Sequence, residues 1–407
     1  MLFAPLRERN YRLWAAADLV STGGTWMQVL GLNWLILSTT GSAATMGIVV
    51  MLQSLPVLVL GGWGGALADR LPARPVLIAS QALRAALALA LLAHPRPQLI
   101  FAVALASGVI AAFEGPVLGR FGAALVPREA LGSALALGSV LSSAGRIGGM
   151  ALGGVLVGLT GPGVLFGING LSYLVVIGAL AAVRTADLRA MPLAAPGDGG
   201  VRAGVRYVLS QPVVLIVLAL SFVLGALGRN YQVTMAAMVA GPLHGSPGSY
   251  GLLSTVFAVG AVAGGLLLAG TGRSTLRMLL ASGFMISVLQ FCSALAPNVL
   301  GFAALILPIA AGAVVFDTVV STRVQLDTRE DMRGRVLATL GIVSSLSGIV
   351  GAPAIGWLAD TLGARGALLL AGAATTAAAL GGAYALARAK GRTLRLPVPR
   401  RTAEQAA

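Results

Sequence analysis

Hydrophobic residues come in long runs along this chain, and about 20 mostly apolar residues are what a helix needs to cross the hydrocarbon of a bilayer. Twelve such runs can be read, with approximate limits 13–37, 44–67, 76–93, 98–121, 131–158, 163–183, 212–239, 249–270, 277–296, 299–321, 336–359 and 364–387. They predict an all-α membrane protein of twelve transmembrane helices. The longest polar stretch, 184–211, falls between the sixth and seventh runs, and its MPLAAPGDGG carries the proline and glycine of a linker. The expected organisation is an N-terminal six-helix bundle over 1–183, a linker over 184–211, a C-terminal six-helix bundle over 212–387 and a basic tail over 388–407.

The two halves repeat each other. Glu114 precedes Arg120 by six residues near the end of the fourth run, and Asp317 precedes Arg323 by six near the end of the tenth, 203 residues on in each case. GRIGGMALGGVL at 145–156 aligns with SGIVGAPAIGWL at 347–358. Two six-helix units in the same orientation form a parallel repeat.

Composition removes the soluble alternatives. Hydrophobic residues make up 57% of the 407 and charged ones only 10%, against the roughly 25% charged of a soluble domain. The 55 glycines suit helices that pack closely in lipid. The net charge of +15 is dealt out between runs rather than gathered on one face, so it does not predict a nucleic-acid partner.

That charge predicts orientation instead, because Lys and Arg concentrate on the cytoplasmic side. With both termini inside, twenty-two of the 28 basic residues are cytoplasmic, among them Arg7, Arg9, Arg12, Arg70, Arg74, Arg128, Arg323 and Arg335. The outside segments hold Arg96 and Arg365, and Arg84, Arg120, Arg146 and Arg229 remain in or near the membrane. The expected location is a bacterial inner membrane crossed many times. Arg7, Arg9 and Arg12 precede a run too long for a signal-peptide core, so no cleaved leader is expected.

Cys292 stands alone, and His94 and His244 lie in separate loops, so neither disulfide nor metal site is expected. A phosphate-binding G-x-x-x-x-G-K-[S/T] loop, a G-x-S-x-G elbow and an H-E-x-x-H pair are missing from the sequence. The reading is therefore not an enzyme, with no cofactor. The basic tail reads as inner-surface lipid contact.

The second run ends in GGWGGALADRLPARP at 61–75, where glycines allow close helix approach and an acid and two arginines make a polar hinge. Gly65, Asp69, Arg70 and Arg74 in that spacing resemble the loop between the second and third helices of major facilitator superfamily transporters. Pro72 and Ala73 stand where that family usually has glycine and a basic residue. The resemblance extends along the chain through RERNYRLWAAADLVSTGGTWMQ, the segment from Phe113 to Gly154 and GRNYQVTMAAMV, which look like the subgroup that includes the bacterial enterobactin exporter and many drug exporters. It implies the major facilitator fold and a gate formed by Asp69, Arg70 and Arg74. The matching stretch of the second half, GGLLLAGTGRSTLR, has no acid, which predicts a one-sided gate.

An ionisable group inside a span costs roughly 2.5–3.5 kcal/mol on insertion scales, so each is a candidate for function. Asp18 shares a helix face with Thr22, Thr25 and Asn33; this face looks into a watery cavity, or Asp18 reaches the nearby interface. Burial favours protonated Asp18 and pairing with Arg146 favours the ionised form. Arg146 follows Ser139, Ser142 and Ser143 in the fifth run without an acid of its own, so Asp18 or Glu114 is the expected counter-ion. Glu114 and Asp317 are either proton carriers or members of structural pairs with Arg120, Arg323 or the Asp69 loop.

Arg229, Asn230, Tyr231 and Gln232 interrupt the seventh run after Gly225 and Gly228, and broken helices are where transporters build substrate contacts. Trp26, Trp34, Trp63 and Trp357 read as anchors or packing residues, and Met27, Met235 and Met238 as gap fillers or an adaptable wall.

The resemblance implies a proton-coupled exporter of small hydrophobic, siderophore-like or drug-like molecules working by alternating access. Thr22, Thr25, Asn33, Arg146, Arg229, Asn230 and Gln232 would line its cavity, and Asp18, Glu114 and Asp317 are the candidates for proton coupling. An importer or uniporter of a polar metabolite is the alternative, and a non-transporting scaffold has no reason to keep the intramembrane charges. The expected partners are the bilayer, a small-molecule substrate and protons, with the chain monomeric.

Overall fold

In lipid every backbone N–H and C=O must be paired within the protein, and a helix does this inside one segment. A computed structural model describes residues 4–68, 70–93, 96–189, 200–271 and 274–393. The first six spans are helices α1 (Arg9–Thr40), α2 (Ala43–Ala68), α3 (Ala73–Ala93), α4 (Pro97–Ala124), α5 (Leu131–Thr160) and α6 (Gly163–Ala182). After α7 (Gly200–Ser210), the seventh span is broken into α8 (Pro212–Val223) and α9 (Tyr231–Ala240), and α10 (Pro247–Thr271), α11 (Leu276–Ser293) and α12 (Val299–Leu326) follow. The last two spans are one element, α13 (Arg333–Thr393), turned at Gly363.

Gly363 has φ 74° and ψ 161°, a backbone region that glycine enters without steric cost. It separates spans eleven and twelve where the sequence places the boundary. Ten helices among the described residues are long and apolar enough to cross a membrane, α13 counted as one. Helix α1 completes the set at 32 residues, its hydropathy diluted by residues such as Gln28 and Asn33.

The first bundle packs α1 against α5 and α6, α2 against α4, and α3 against α6. The second packs α10 and α11 against α12, and α11 against α13. The repeat is visible in the packing. Gly64 of α2 leaves no room for a Cβ against Ala112 of α4, and Gly264 of α10 leaves none against Ala311 of α12.

Two seams join the bundles, α2 with α13 and α5 with α10. Both close at the end of the molecule away from the start of α1. There Gly154 faces Gly251, Gly47 faces Ala352 and Gly356 faces Ala43, each too close for a side chain on the glycine. Lipid has no hydrophobic drive to press helices together, so this backbone-to-backbone fit supplies the dispersion contact that holds the seams. Outward-facing apolar residues such as Leu159, Leu266 and Leu300 are 70–77% exposed, as a surface in hydrocarbon requires.

The stretch read as a linker is partly a helix. In VRAGVRYVLS the apolar positions 201, 205, 208 and 209 recur at helical spacing, and α7 packs on α13 and α8. The turn signals lie in the preceding MPLAAPGDGG, most of it outside the described residues.

Candidate functional site: a cavity between the bundles

A cavity of about 570 Å³ lies toward the end where α1 begins, walled by Tyr11, Asp18 and Trp26 of α1 and by Ser139, Ser142 and Arg146 of α5. A second, of about 320 Å³, continues between the bundles; Trp26 and Arg146 line both. Its far wall carries Arg229, Asn230, Gln232 and Asp317, with Met150, Met235 and Phe257 as apolar surface. Met235 thus forms part of the wall, whereas Met238 is fully buried in the core.

Arg146 does not find the expected counter-ion. Its guanidinium lies 5.8 Å from the ring centroid of Trp26, and among the described residues no carboxylate is within 4.0 Å of it. A cation over an indole gains about 0.5–2 kcal/mol, more as water is excluded, which keeps the charge in place while leaving its donors available. Trp26 is therefore a cavity residue rather than only a packing one. Trp63 and Trp357, 68% and 60% exposed, face outward, and Trp34 stacks on Tyr250 at 6.2 Å.

Asp18 stands between this cavity and a third of about 310 Å³, lined also by Thr22, Thr25, Gln81, Arg84 and Glu114. It makes neither an ion pair nor a side-chain hydrogen bond among the described residues. Asn33 shares the face but not the cavity. It lies fifteen residues, about 22 Å along the helix at 1.5 Å per residue, beyond Asp18, and is buried where its amide donates to Gln232 Oε1 and Tyr250 Oη, both at 3.3 Å.

Glu114 is fully engaged with α3. It accepts hydrogen bonds from Ser80 Oγ at 2.7 Å and Gln81 Nε2 at 2.6 Å, and pairs with Arg84 at 2.7 Å. Asp317 pairs with Arg229, and Arg323 with Asp327 one turn on. The pairing of Asp317 with Arg323 expected from the sequence is thus replaced. Six residues along a helix turn a side chain through about 240°, so acid and arginine at that spacing point to different sides. Arg84, left over by the sequence reading, is the partner that matters for Glu114.

The seventh span breaks as its polar residues and glycines suggest. Leu224–Gly228 winds as a π-helix, Arg229 and Asn230 leave helical geometry, and α9 restarts at Tyr231. Asn230 Nδ2 donates to Ala226 O at 2.7 Å and Gln290 Nε2 to Leu227 O at 3.2 Å, so carbonyls freed by the break are satisfied by side chains. Gln232, exposed by the same break, accepts from Asn33.

Asp69 lies outside the described residues. Gly65 belongs to α2, and Arg70 is an exposed turn residue. Arg74 Nη2 donates to Ala181 O at 2.7 Å, which ties α3 to the end of α6 within one bundle. Gln81, Tyr173 and Tyr250 entered none of the candidate sites; the signal available for the first was its amide one residue after Ser80 and three before Arg84.

Residues 1–394 match the model of a family described as transmembrane secretion effector. Over 47 residues the chain is 43% identical to the staphyloferrin A transporter of Staphylococcus aureus, a match spanning 12% of each protein. Among solved structures it is similar to the nucleoside transporter NupG, with TM-score 0.75, 13% identity and coverage of 93% of this chain and 99% of that one. It is also similar to a bacterial homologue of the human lysosomal transporter Spinster in an inward-facing, unoccupied conformation, with TM-score 0.75, 14% identity and coverage of 96% and 99%. The peptide transporter PepTSo of the POT family gives TM-score 0.73, 12% identity and coverage of 95% and 99%.

Proposed function

The chain belongs to the transmembrane secretion effector family of major facilitator transporters, and we propose that it is a proton-coupled exporter of small, largely hydrophobic molecules. The observation that carries this reading is the pair of unpartnered charges, Asp18 and Arg146, on one cavity whose opposite end is closed by glycine seams. A transporter must expose its site to one side at a time. Backbone-close seams at one end and a cavity at the other are one half of such a cycle, with both termini and the linker assigned to the cytoplasm.

In the proposed mechanism a substrate enters between the bundles, its apolar part against Met150, Met235 and Phe257. A polar or anionic group on it meets the donors of Arg146, which Trp26 holds toward the cavity. Asp18 binds and releases the exchanged proton at a carboxylate oxygen, since no side chain claims that oxygen. Arg229 and Asp317 neutralise each other across the far wall and pin the break in the seventh span. Glu114, saturated by three donors of α3, acts as a structural strut. The short match to a siderophore transporter makes an acidic chelator one candidate class of cargo. The hydroxyls of Ser139, Ser142, Thr22 and Thr25 on the walls also favour a second reading, uptake of a polar metabolite.

Inside-out vesicles with an imposed pH gradient decide between them. Accumulation of apolar dyes or siderophore-like acids driven by an acidic lumen is expected. Accumulation of polar metabolites alone, or transport indifferent to the gradient, overturns the exporter reading.

A further inference from the structure

We propose that Asp360 is an outer gate residue, a carboxylate of the second bundle that caps a helix of the first and holds the end away from the termini closed. This inference rests on the transport reading above. The hinge sequence of the second span, Gly65-Ala-Leu-Ala-Asp69-Arg-Leu-Pro-Ala-Arg74, recurs at the end of the eleventh as Gly356-Trp-Leu-Ala-Asp360-Thr-Leu-Gly-Ala-Arg365, identical at seven of ten positions. The spans run in opposite directions, so the second copy stands at the opposite end of the molecule. The parallel repeat, which compares the second span with the eighth, does not reveal it.

The geometry at the second copy is complete. Asp360 Oδ1 accepts from the backbone N–H of Ala43 at 2.7 Å, and Oδ2 accepts from the N–H of Ala44 at 3.1 Å and from Ser42 Oγ at 2.6 Å. Ala43 and Ala44 are the first residues of α2, whose leading N–H groups have no partner inside the helix. The N–H of Thr45 is taken by Ser42 Oγ at 3.2 Å. A negative charge at this positive end of the helix dipole adds to the hydrogen bonds. The approach is possible because Gly47 and Gly356 present no side chain where α2 and α13 cross. Arg365 repeats the role of Arg74: its Nη2 donates to Ala296 O at 2.9 Å, beyond the end of α11, as Arg74 donates to Ala181 O near the end of α6. Every bond of Asp360 crosses the seam between bundles, so each is lost when that end opens and regained when it closes.

The test is a pair of distance measurements by pulsed electron paramagnetic resonance on the full chain in nanodiscs, with Cys292→Ser. Spin labels at Ser38→Cys and Leu362→Cys read the gated end; labels at Leu135→Cys and Leu326→Cys read the cavity end. With Asp360 present the first pair gives one short distance. Asp360→Ala is expected to raise a longer-distance population about fivefold, the scale of one lost helix cap. Asp360→Asn is expected to give a smaller shift than Asp360→Ala in the same direction, because its amide keeps one accepting oxygen where the carboxylate uses two. If Asp360→Ala misfolds, Ser42→Ala, which removes one of the three donors, is expected to give a smaller shift in the same direction. Unchanged distributions in both variants overturn the gate. A widened outer pair with a static inner pair keeps the gate and overturns alternating access.

Discussion

The guanidinium of Arg146 sits 5.8 Å from the indole centroid of Trp26 and has no carboxylate partner within 4.0 Å among the described residues. Because it pairs with neither Asp18 nor Glu114, the acids within the spans of its own half, Arg146 is on the proposed mechanism free to meet a substrate. Arg146→Ala should therefore lower transport at least about tenfold, the loss of one charge-assisted contact of ~1.5–3 kcal/mol, with little change in melting temperature. Trp26→Leu should weaken transport less. Vesicle transport rates beside thermal unfolding curves check both, and a large drop in stability for Arg146→Ala would assign the residue to structure instead.

Asp18 is the proposed coupling group, since its carboxylate faces two cavities and has no fixed donor among the described residues. Asp18→Asn should leave exchange of substrate across the membrane intact and remove the dependence of accumulation on the pH gradient. Uphill transport with an unaltered pH profile in this variant would move the role to Asp317.

Glu114 and Arg84 behave differently. Their side chains are 8% and 19% exposed, and they are joined at 2.7 Å, so removing one partner strands the other in a low-dielectric interior. Breaking such a pair costs about 3–5 kcal/mol. Glu114→Gln should lower the melting temperature clearly, and a Glu114→Gln, Arg84→Met double variant should recover part of the loss. Equal stability of the single variant and the parent would show the site to be wetter than its burial implies.

The glycine seams give a steric prediction. Gly251 has no room for a Cβ against Gly154, so Gly251→Val should force the gated end apart and expose a cysteine placed at Met46, which is fully buried. Labelling by a membrane-impermeant maleimide should rise severalfold over the parent, both lacking Cys292.

Orientation is checked directly by reporter fusions at the C-terminus and at His244. Opposite sidedness is expected from the basic-residue asymmetry, and matching signals would reverse the assignment.

Much of the fold was legible in the sequence because insertion into lipid is decided segment by segment. A run of apolar residues is helical whatever its neighbours do, so the ends of α1, α2, α4 and α12 fall within a few residues of the hydropathy limits. Local signals also located the break at Arg229 and Asn230, since two glycines followed by polar residues cannot sustain a buried helix unaided. The amphipathic α7 was hidden by the prolines and glycines just before it.

What the sequence determined by itself is therefore one-dimensional: the number of spans, their repeat, the position of the break and the identity of the rare intramembrane charges. Which charges meet was decided only in three dimensions. The rotation of each helix about its axis turned Glu114 to Arg84 and Asp317 to Arg229, left Asp18 and Arg146 facing the same cavity without touching, and buried Asn33 behind Gln232, off the cavity wall. The cap of Asp360 on α2 joins residues more than 300 positions apart, and it exists because two glycine-lined helices from different bundles cross at that end. Such contacts depend on helix rotation and crossing depth, neither of which periodicity along a single segment encodes.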